Sequence, residues 1–206
     1  MPEITGVRER RDRARIFVDG AFWAEIDAAV AAQRGLREGV ALSIEELSEA
    51  RIAGERALAM NRALTFLGYR ARSEREVRDR LRRYGYGGQT VESVVERLED
   101  LGYLDDEQFA RLVAREKARK YGPKRVLAEL RKSGVGTETA QDAVDEEFAG
   151  RSELQEAYSA AERRYNRGGS EAEARRVYGF LMRRGYSAEV CSEVAREYRG
   201  ASGAEE

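Results

Sequence analysis

The stretch VRDRLRRYGY, residues 77–86, decides the fold because versions of it occur three times in the chain. VLAELRKSGV occupies residues 126–135, and VYGFLMRRGY occupies residues 177–186. Each copy has a valine, a leucine four residues later and a glycine four residues after that. The leucines Leu81, Leu130 and Leu181 are 49 and 51 residues apart. This spacing predicts a structural unit of about 50 residues that is repeated three times.

Each copy ends as a helix is expected to end. A leucine, a glycine four residues later and then an apolar residue occur at Leu64–Gly68–Tyr69, Leu81–Gly85–Tyr86, Leu98–Gly102–Tyr103, Leu130–Gly134–Val135 and Leu181–Gly185–Tyr186. Glycine just past a helix adopts the left-handed conformation without a Cβ penalty, and the next apolar residue folds back onto the last turn. We therefore expect a helix to stop at each of the five glycines.

Helix starts are marked as clearly. Ser43, Ser73, Ser152 and Ser170 are each followed three residues later by a glutamate or glutamine, the pattern of a capping box. Gly122-Pro123 is another start, because proline is favoured at the first helical position.

Asp105 and Asp106 admit two interpretations, as a metal or catalytic pair or as a helix start. Asp105 followed by Gln108 has the capping-box form, and Asp106 and Glu107 then suit the positive end of the helix dipole. No further ligands occur at a recognisable spacing. We therefore interpret Asp105 as an N-cap.

Starts and stops together predict three helices in each repeat. The expected ranges are 54–68, 73–84 and 89–101, then 105–120, 123–133 and 137–149, then 152–166, 170–184 and 187–199. The predicted fold is mainly α, with three tandem three-helix repeats in an elongated array. The repeats occupy 51–102, 103–150 and 151–200, after a β-rich leader at 1–50 and before a disordered tail at 201–206.

The leader differs from the repeats. Arg15–Ile26 is rich in β-forming residues around Asp19-Gly20, which is a two-residue hairpin signal. Ile4–Arg10 is a candidate third strand, and 28–34 a candidate short helix ending at Gly35. Both faces of the hairpin carry apolar residues, so the alternation leaves open which face is buried. A lone hairpin is marginally stable, and we expect it to pack on the first helices.

The composition limits the function classes. The 206 residues include no histidine and a single cysteine, Cys191, which removes the commonest general base and any disulfide within the chain. Charged residues make up 36%, yet the net charge is −1, so any attraction to a polyanion must be local. No apolar run approaches the ~20 residues needed to cross a bilayer, and no signal peptide opens the chain. We expect a monomeric cytoplasmic protein that is not an enzyme, holds no metal or cofactor, and does not bind a membrane.

Positive charge is concentrated at the same place in each repeat. Residues 70–83, 111–132 and 163–184 are rich in lysine and arginine, whereas 92–107 and 138–156 are rich in acids. One interpretation is solvated faces with salt bridges between neighbouring helices. The other is a basic stripe that faces an elongated polyanion or an acidic partner, assisted by free N–H groups at the helix starts Ser73, Gly122 and Ser170. The candidate residues of this basic stripe are Arg72, Arg75, Lys117, Arg119, Lys120, Lys124, Arg125, Arg131, Lys132, Arg175 and Arg176.

Within the basic stripe, Lys124 and Arg125 are the strongest candidates. They lie in the first turn of a helix, where a cation opposes the macrodipole, so a use outside the helix is favoured. Arg131 and Lys132 lie near the other end, where cations stabilise the helix.

Several motifs resemble those of one known family. Arg72-Ser73-Glu74 precedes the second helix of the first repeat, GYLDDEQFA (102–110) opens the second repeat, and YGPKRVLAEL (121–130) follows within it. Together with the three repeats, they resemble the RecX family of recombinase regulators over about residues 52–199. The motifs of the second repeat are the most specific, and the third repeat matches mainly through Val177–Tyr186. A strand-rich leader also occurs in some members.

The resemblance implies a protein that modulates the RecA recombinase, acting as an inhibitor, in DNA repair and the SOS response. It implies binding in the groove of the RecA–DNA filament, which limits strand exchange and co-protease activity. It also implies weak direct binding to single- or double-stranded DNA, and no catalysis.

Two alternatives come from other classes. One is a stand-alone nucleic-acid-binding helical-repeat module, and the other is an enzyme that uses the uncommitted acids. A protein that binds only DNA loses affinity steeply with salt, whereas a filament binder keeps affinity through apolar and shape contacts.

Overall fold

The structure is a computed structural model that describes residues 1–166 and 169–199; the predicted disordered tail at 201–206 lies outside these residues. The strands are β1 (Ile4–Arg10), β2 (Arg13–Val18) and β3 (Ala21–Asp27). The helices are α1 (Ala28–Gln33), α2 (Ile44–Leu67), α3 (Glu74–Arg83), α4 (Gly88–Asp100), α5 (Asp106–Ala118), α6 (Pro123–Lys132), α7 (Thr137–Phe148), α8 (Glu153–Glu162), α9 (Glu171–Arg184) and α10 (Ala188–Tyr198). Two compact units result, Met1–Asp105 with the sheet and α1–α4, and Asp106–Glu206 with α5–α10.

The leader forms a three-stranded antiparallel sheet in the order β1-β2-β3, which confirms the predicted third strand. The predicted hairpin turn is also confirmed. Asp19 and Gly20 have φ angles of 48° and 81°, as a turn with two left-handed central residues requires. The short helix α1 follows directly and ends before Gly35, as expected.

One face of the sheet is buried, and a β-bulge in β3 places Phe22 on the other face. Ile16 pairs with Ala24, but Phe17 pairs with Phe22, so Trp23 is an extra residue on β3. Ile16 and Ala24 are buried in the leader core. Because the extra residue shifts the alternation, Phe17 and Phe22 lie on the opposite, open face. Both faces therefore carry apolar residues, which explains why the pattern alone left the choice open.

The helix α2 is longer than the sequence predicted. It begins at Ile44, after the Ser43 capping box, and so the predicted start at residue 54 is wrong. Gly54 does not break the helix, because it marks the place where α2 approaches β3. A Cβ added at Gly54 would lie within 2.9 Å of Ile26 Cγ2. The first half of α2 packs in the leader core through Ala50, and the second half packs in the core of the first repeat through Ala59.

The three predicted three-helix repeats are present, and each has its own hydrophobic core. The repeated valines and leucines are fully buried: Val77, Leu81, Val126, Leu130, Val177 and Leu181. Most helix bounds lie within two residues of the prediction. The exception besides α2 is α8, which ends at Glu162 rather than at 166. The chain leaves the helix there, and the Tyr165 ring packs edge-on against Phe180, with ring centroids 5.5 Å apart.

The glycine stops are confirmed at four of the five positions. Gly85, Gly102, Gly134 and Gly185 have φ angles of 90°, 72°, 89° and 86°. Gly68 also ends a helix, but its φ of −62° shows that the left-handed prediction is wrong there. The residue after it, Tyr69, is 80% exposed and does not fold back onto the helix, so the contact that accompanies a left-handed stop is missing.

The helix starts follow the sequence signals closely. Ser43 and Ser73 form complete capping boxes with Glu46 and Glu76. The hydroxyls of Ser152 and Ser170 accept the N–H of the residue three positions on. Pro123 is the first residue of α6, and α5 begins at Asp106, which puts Asp105 at the position predicted for its N-cap.

Candidate interaction surface

In the first repeat, basic and acidic side chains pair within the fold. The Arg78 guanidinium donates to Glu74 of its own helix and to Glu92 of α4, each at 2.8 Å. Arg82 donates to Glu92 at 3.0 Å. The hydrogen bond from Arg78 lowers the pKa of Glu92, and the charge of Arg82 adds to this effect. Arg78 and Arg82 thus use their charge in salt bridges between α3 and α4.

The two basic-stripe candidates of the first repeat are not free surface cations. The Arg72 side chain is only 16% exposed, lies 3.9 Å above the Phe66 ring and is 3.7 Å from Glu76. Burial lowers the pKa of Arg72. Arg75 is exposed but lies 3.8 Å from Asp79. This placement favours a structural role for Arg72.

In the second repeat, α6 has one buried face and one basic face. Val126 and Leu130 are buried, whereas Lys124, Arg131 and Lys132 are exposed. Lys124 and Arg131 are seven residues apart, which places them on the same side of the helix. Within residues 1–166 and 169–199, none of these three exposed cations forms an ion pair.

The candidate Arg125, in contrast, has an internal partner. Its guanidinium lies 2.7 Å from Glu129, one turn further along α6, and 6.0 Å from the centroid of the Tyr121 ring. Part of its charge is therefore compensated within the helix, and Lys124 is the freer of the two first-turn cations.

The start of α6 is held against the end of α9. The N–H of Gly122 donates to the Arg184 carbonyl at 2.8 Å, and the N–H of Lys124 donates to the Gly185 carbonyl at 3.1 Å. The expectation of free N–H groups at Gly122 is therefore wrong, because the third repeat occupies them. At Ser73 and Ser170 the serine hydroxyl accepts the N–H of the third helical residue. The contact fixes the Lys124 backbone while its side chain stays exposed.

The end of α5 adds further cations to the second unit. Lys117 lies 3.9 Å from its neighbour Glu116. Arg119 and Lys120 are exposed and have no acidic partner in the described part of the chain. In the third repeat, Arg175 lies 3.3 Å from Glu171, and Arg176 is exposed without an ion pair among the described residues.

A basic cleft of about 370 Å³ lies beside Arg119 in the second unit. Its basic lining residues are Arg119, Arg151, Arg163 and Arg184, and its acidic lining residue is Glu156. Arg151, Arg163 and Arg184 are not among the site residues predicted from the sequence. Arg163 and Arg184 belong to the basic stretch 163–184 of the sequence, whereas Arg151 lies in the acidic stretch 138–156.

Acidic side chains and Cys191 are the groups of the described residues from which a metal site would be built. Among the described residues there is no group of three or more histidine, cysteine, aspartate or glutamate side chains that could hold a metal ion. Cys191 is fully buried, and burial raises its pKa to about 11. No helix in that part of the chain is both long and apolar enough to cross a membrane.

Comparison with known families agrees with the three-repeat architecture. The first, second and third three-helix domains of RecX match residues 59–98, 105–144 and 152–194. The chain belongs to the RecX family. The three matches fall on the repeats read from the sequence, and the leader precedes them.

Similar proteins carry the same family name. Regulatory protein RecX of Listeria monocytogenes serotype 4a is 27% identical over 195 residues, which cover 92% of this chain and 72% of the relative. Regulatory protein RecX of Lactobacillus johnsonii is 32% identical over 150 residues, which cover 71% of this chain and 55% of the relative. A crystal structure of regulatory protein RecX has a TM-score of 0.66 at 22% identity, covering 95% of this chain and 100% of that one. The crystal structure of RecX from Lactobacillus salivarius has a TM-score of 0.62 at 23% identity, and the match covers 71% of this chain and 97% of that one.

Proposed function

We propose that this RecX chain regulates a RecA recombinase by binding in the groove of the RecA–DNA filament and limiting strand exchange and co-protease activity. The support is the match of three consecutive RecX domains and the name "regulatory protein" that its relatives carry. The proposal assigns no catalytic step to the protein.

The exposed cations of α6 are the observation that carries the proposed binding surface. Lys124, Arg131 and Lys132 keep their charge uncompensated, while Arg78 and Arg82 of the first repeat are paired with acids of their own repeat. Uncompensated cations on one side of a rigid helix suit a polyanion or an acidic protein surface, which the filament supplies through its DNA and its protein.

Charge reversal on α6 tests this surface. The double substitution Lys124→Glu with Arg131→Glu should weaken co-sedimentation with RecA filaments on single-stranded DNA by at least about tenfold, because two attractive contacts become repulsive. Circular dichroism should show an unchanged fold, since both side chains are exposed.

A matched control separates a local contact from net charge. Arg34→Glu with Arg97→Glu makes the same change in net charge on exposed cations that already lie within 4.0 Å of acids and are not part of the basic stripe. We expect this variant to co-sediment much as wild type does. Equal losses in both variants would show that the effect comes from net charge, and unchanged binding in the α6 variant would exclude α6 as the contact.

A second candidate function, stand-alone binding of nucleic acid, is favoured by the same exposed cations. It predicts that the α6 variant loses affinity for naked DNA in parallel with its loss of affinity for the filament. If the protein is instead a recombinase regulator, wild type should bind the filament more tightly than it binds the same DNA alone.

A further inference from the structure

One face of the leader sheet combines arginines with phenylalanines. Phe17 lies opposite Phe22 in the β2–β3 register, and Arg15 lies opposite Glu25. Arg8 of β1 lies opposite Arg15. We call the set Arg8, Arg10, Arg13, Arg15, Phe17, Phe22 and Glu25 the open face. The leader core, with Ile16 and Ala24, lies on the other side of the sheet.

The aromatic rings of the open face are ordered against arginines. The Phe17 and Phe22 rings meet edge-on, with centroids 6.0 Å apart. The Arg8 guanidinium lies 5.1 Å from the Phe17 centroid, and that of Arg15 lies 5.1 Å from the Phe22 centroid. Phe22 is 53% exposed, so much of its ring surface is accessible to a ligand. The strand thus presents ring surface next to positive charge.

Positive charge exceeds negative charge on this face. The only acid of the set is Glu25, which pairs with Arg13 and lies 3.8 Å from Arg15. Arg8 and Arg10 are exposed and have no acidic partner within residues 1–166 and 169–199. The surplus charge is therefore available to an anionic ligand.

A basic cleft of about 600 Å³ continues from the open face toward α2. Arg10, Arg13 and Arg15 line it from the sheet, and Arg62 and Asn61 line it from α2. Arg62 is held 4.3 Å above the ring of Tyr84, which also lines the cleft. A chain that lay across the phenylalanines would meet these arginines next.

We propose that the open face binds single-stranded nucleic acid, with bases stacked on Phe22 and Phe17 and phosphates held by Arg8, Arg10 and Arg15. Exposed aromatic rings interleaved with cations are the combination that recognises unpaired bases and a phosphate backbone together. An acidic protein surface would use the arginines but not the exposed rings, and a duplex would not offer its bases for stacking. The proposed stacking and phosphate contacts, Phe17, Phe22, Arg8, Arg10 and Arg15, lie outside residues 59–194, which the RecX domains occupy, and they are distinct from the α6 surface of the proposed function.

Trp23 provides a local readout of this site. It is the only tryptophan of the chain and forms the bulge next to Phe22. Its fluorescence therefore reports on the leader and not on the repeats. Titration of the full chain, without recombinase, with an oligothymidylate of about 12 nucleotides should change the Trp23 emission in a saturable manner.

Single substitutions on the open face should weaken this titration. Phe22→Ala removes a stacking surface and should weaken binding at least about fivefold, as expected for the loss of one stacked base. Arg8→Ala should weaken binding and reduce its salt dependence, because one phosphate contact is lost. Neither side chain is buried, so the circular dichroism spectrum and melting temperature should stay close to those of wild type.

Matched controls are available in the same unit. Tyr69→Ala removes an aromatic ring that is 80% exposed but lies in the α2–α3 loop. Arg51→Ala removes an exposed arginine of α2 that does not line the cleft. Both variants should bind as wild type does. Equal losses in Phe22→Ala and Tyr69→Ala would overturn the proposal, as would the absence of a saturable Trp23 signal with wild type.

The choice of ligand tests the remaining alternatives. Oligothymidylate and oligouridylate distinguish DNA from RNA as the single strand, and binding of either supports the site. A duplex of the same length, or polyglutamate, that changes the Trp23 signal as strongly as the single strand would overturn stacking as the basis of recognition. Because recombinase is absent throughout, these results do not depend on whether α6 contacts the filament.

Discussion

Two glycines of the repeated block have the same backbone conformation but different surroundings. Gly85 and Gly185 have φ angles of 90° and 86°. A Cβ added at Gly85 would meet no atom within 4 Å, whereas one added at Gly185 would lie 2.8 Å from Arg125 Cα. Gly185 therefore both ends α9 and contacts the start of α6 in the preceding repeat.

The two glycines should respond differently to alanine. Gly85→Ala should destabilise the protein by about 1–2 kcal/mol, the left-handed penalty alone. Gly185→Ala should destabilise it by roughly 1–3 kcal/mol more, because α6 must also move away from the new methyl group. Urea denaturation of the two variants measures the difference. Equal destabilisation would show that the contact with Arg125 relaxes without cost.

Asp105 remains a predicted cap at the residue scale. Asp105→Ala should destabilise the protein by about 0.5–2 kcal/mol, while Asp105→Asn should be nearly neutral, because asparagine also caps helices. Thermal denaturation with and without a divalent metal ion measures both effects. A melting temperature that metal raises in wild type but not in Asp105→Asn would contradict the cap and support a metal site.

At the scale of elements, the pairing of α3 with α4 predicts a pH dependence. Arg78 lowers the pKa of Glu92, so the folded state binds the Glu92 proton less tightly than the unfolded chain does. The stabilisation is fully present above the ordinary glutamate pKa of ~4.3 and is lost as the pH falls through the lower pKa of the folded state. Glu92 is partly exposed, so solvent limits its contribution to about 1 kcal/mol or less.

Glu92→Gln should therefore destabilise the protein at neutral pH but not in acid. We expect a loss of roughly 0.5–1 kcal/mol at pH 7 that shrinks as the pH falls below about 4. The matched control is Glu96→Gln on the same helix, which is exposed and has no ion pair among the described residues. Chemical denaturation at several pH values measures the free energy of unfolding of both variants. The same pH dependence in both would contradict a stabilising pair between Arg78 and Glu92.

Elements were more predictable than the contacts between them. The repeated leucine and glycine spacing located α3, α6 and α9, because these signals act within a few residues. The seating of α6 on Gly185 joins residues from two repeats, and nothing in the local sequence of either indicates it. The open face was hidden for a similar reason, since the bulge at Trp23 interrupts the alternation from which a buried face is read. The sequence located the cations of the basic stripe, but it did not indicate which of them, such as Arg72 and Arg125, already pair with acids of the fold.

At the scale of the whole molecule, salt should separate the two candidate functions. Binding to naked single-stranded DNA should weaken steeply with salt, with a slope in log–log form of about −0.7 for each phosphate neutralised. Binding to the RecA filament should depend less on salt, because apolar and shape contacts with the protein add to it. Fluorescence anisotropy with labelled DNA, with and without recombinase, measures both slopes. Identical slopes would favour the stand-alone nucleic-acid-binding module.

The helix α2 is shared by the hydrophobic cores of the leader and of the first repeat, so local unfolding of one is coupled to local unfolding of the other. Its 24 residues pass from one hydrophobic core to the other, with Ala50 in the first and Ala59 in the second. Backbone amides near the middle of α2 should stay protected from exchange while either core holds the helix around Gly54. If only one of the two cores opens, the half of α2 that packs in the other core stays helical. The opened half can then re-form its helix from that end. The slowest hydrogen exchange of the first unit should therefore lie at this junction and not at the centre of either core.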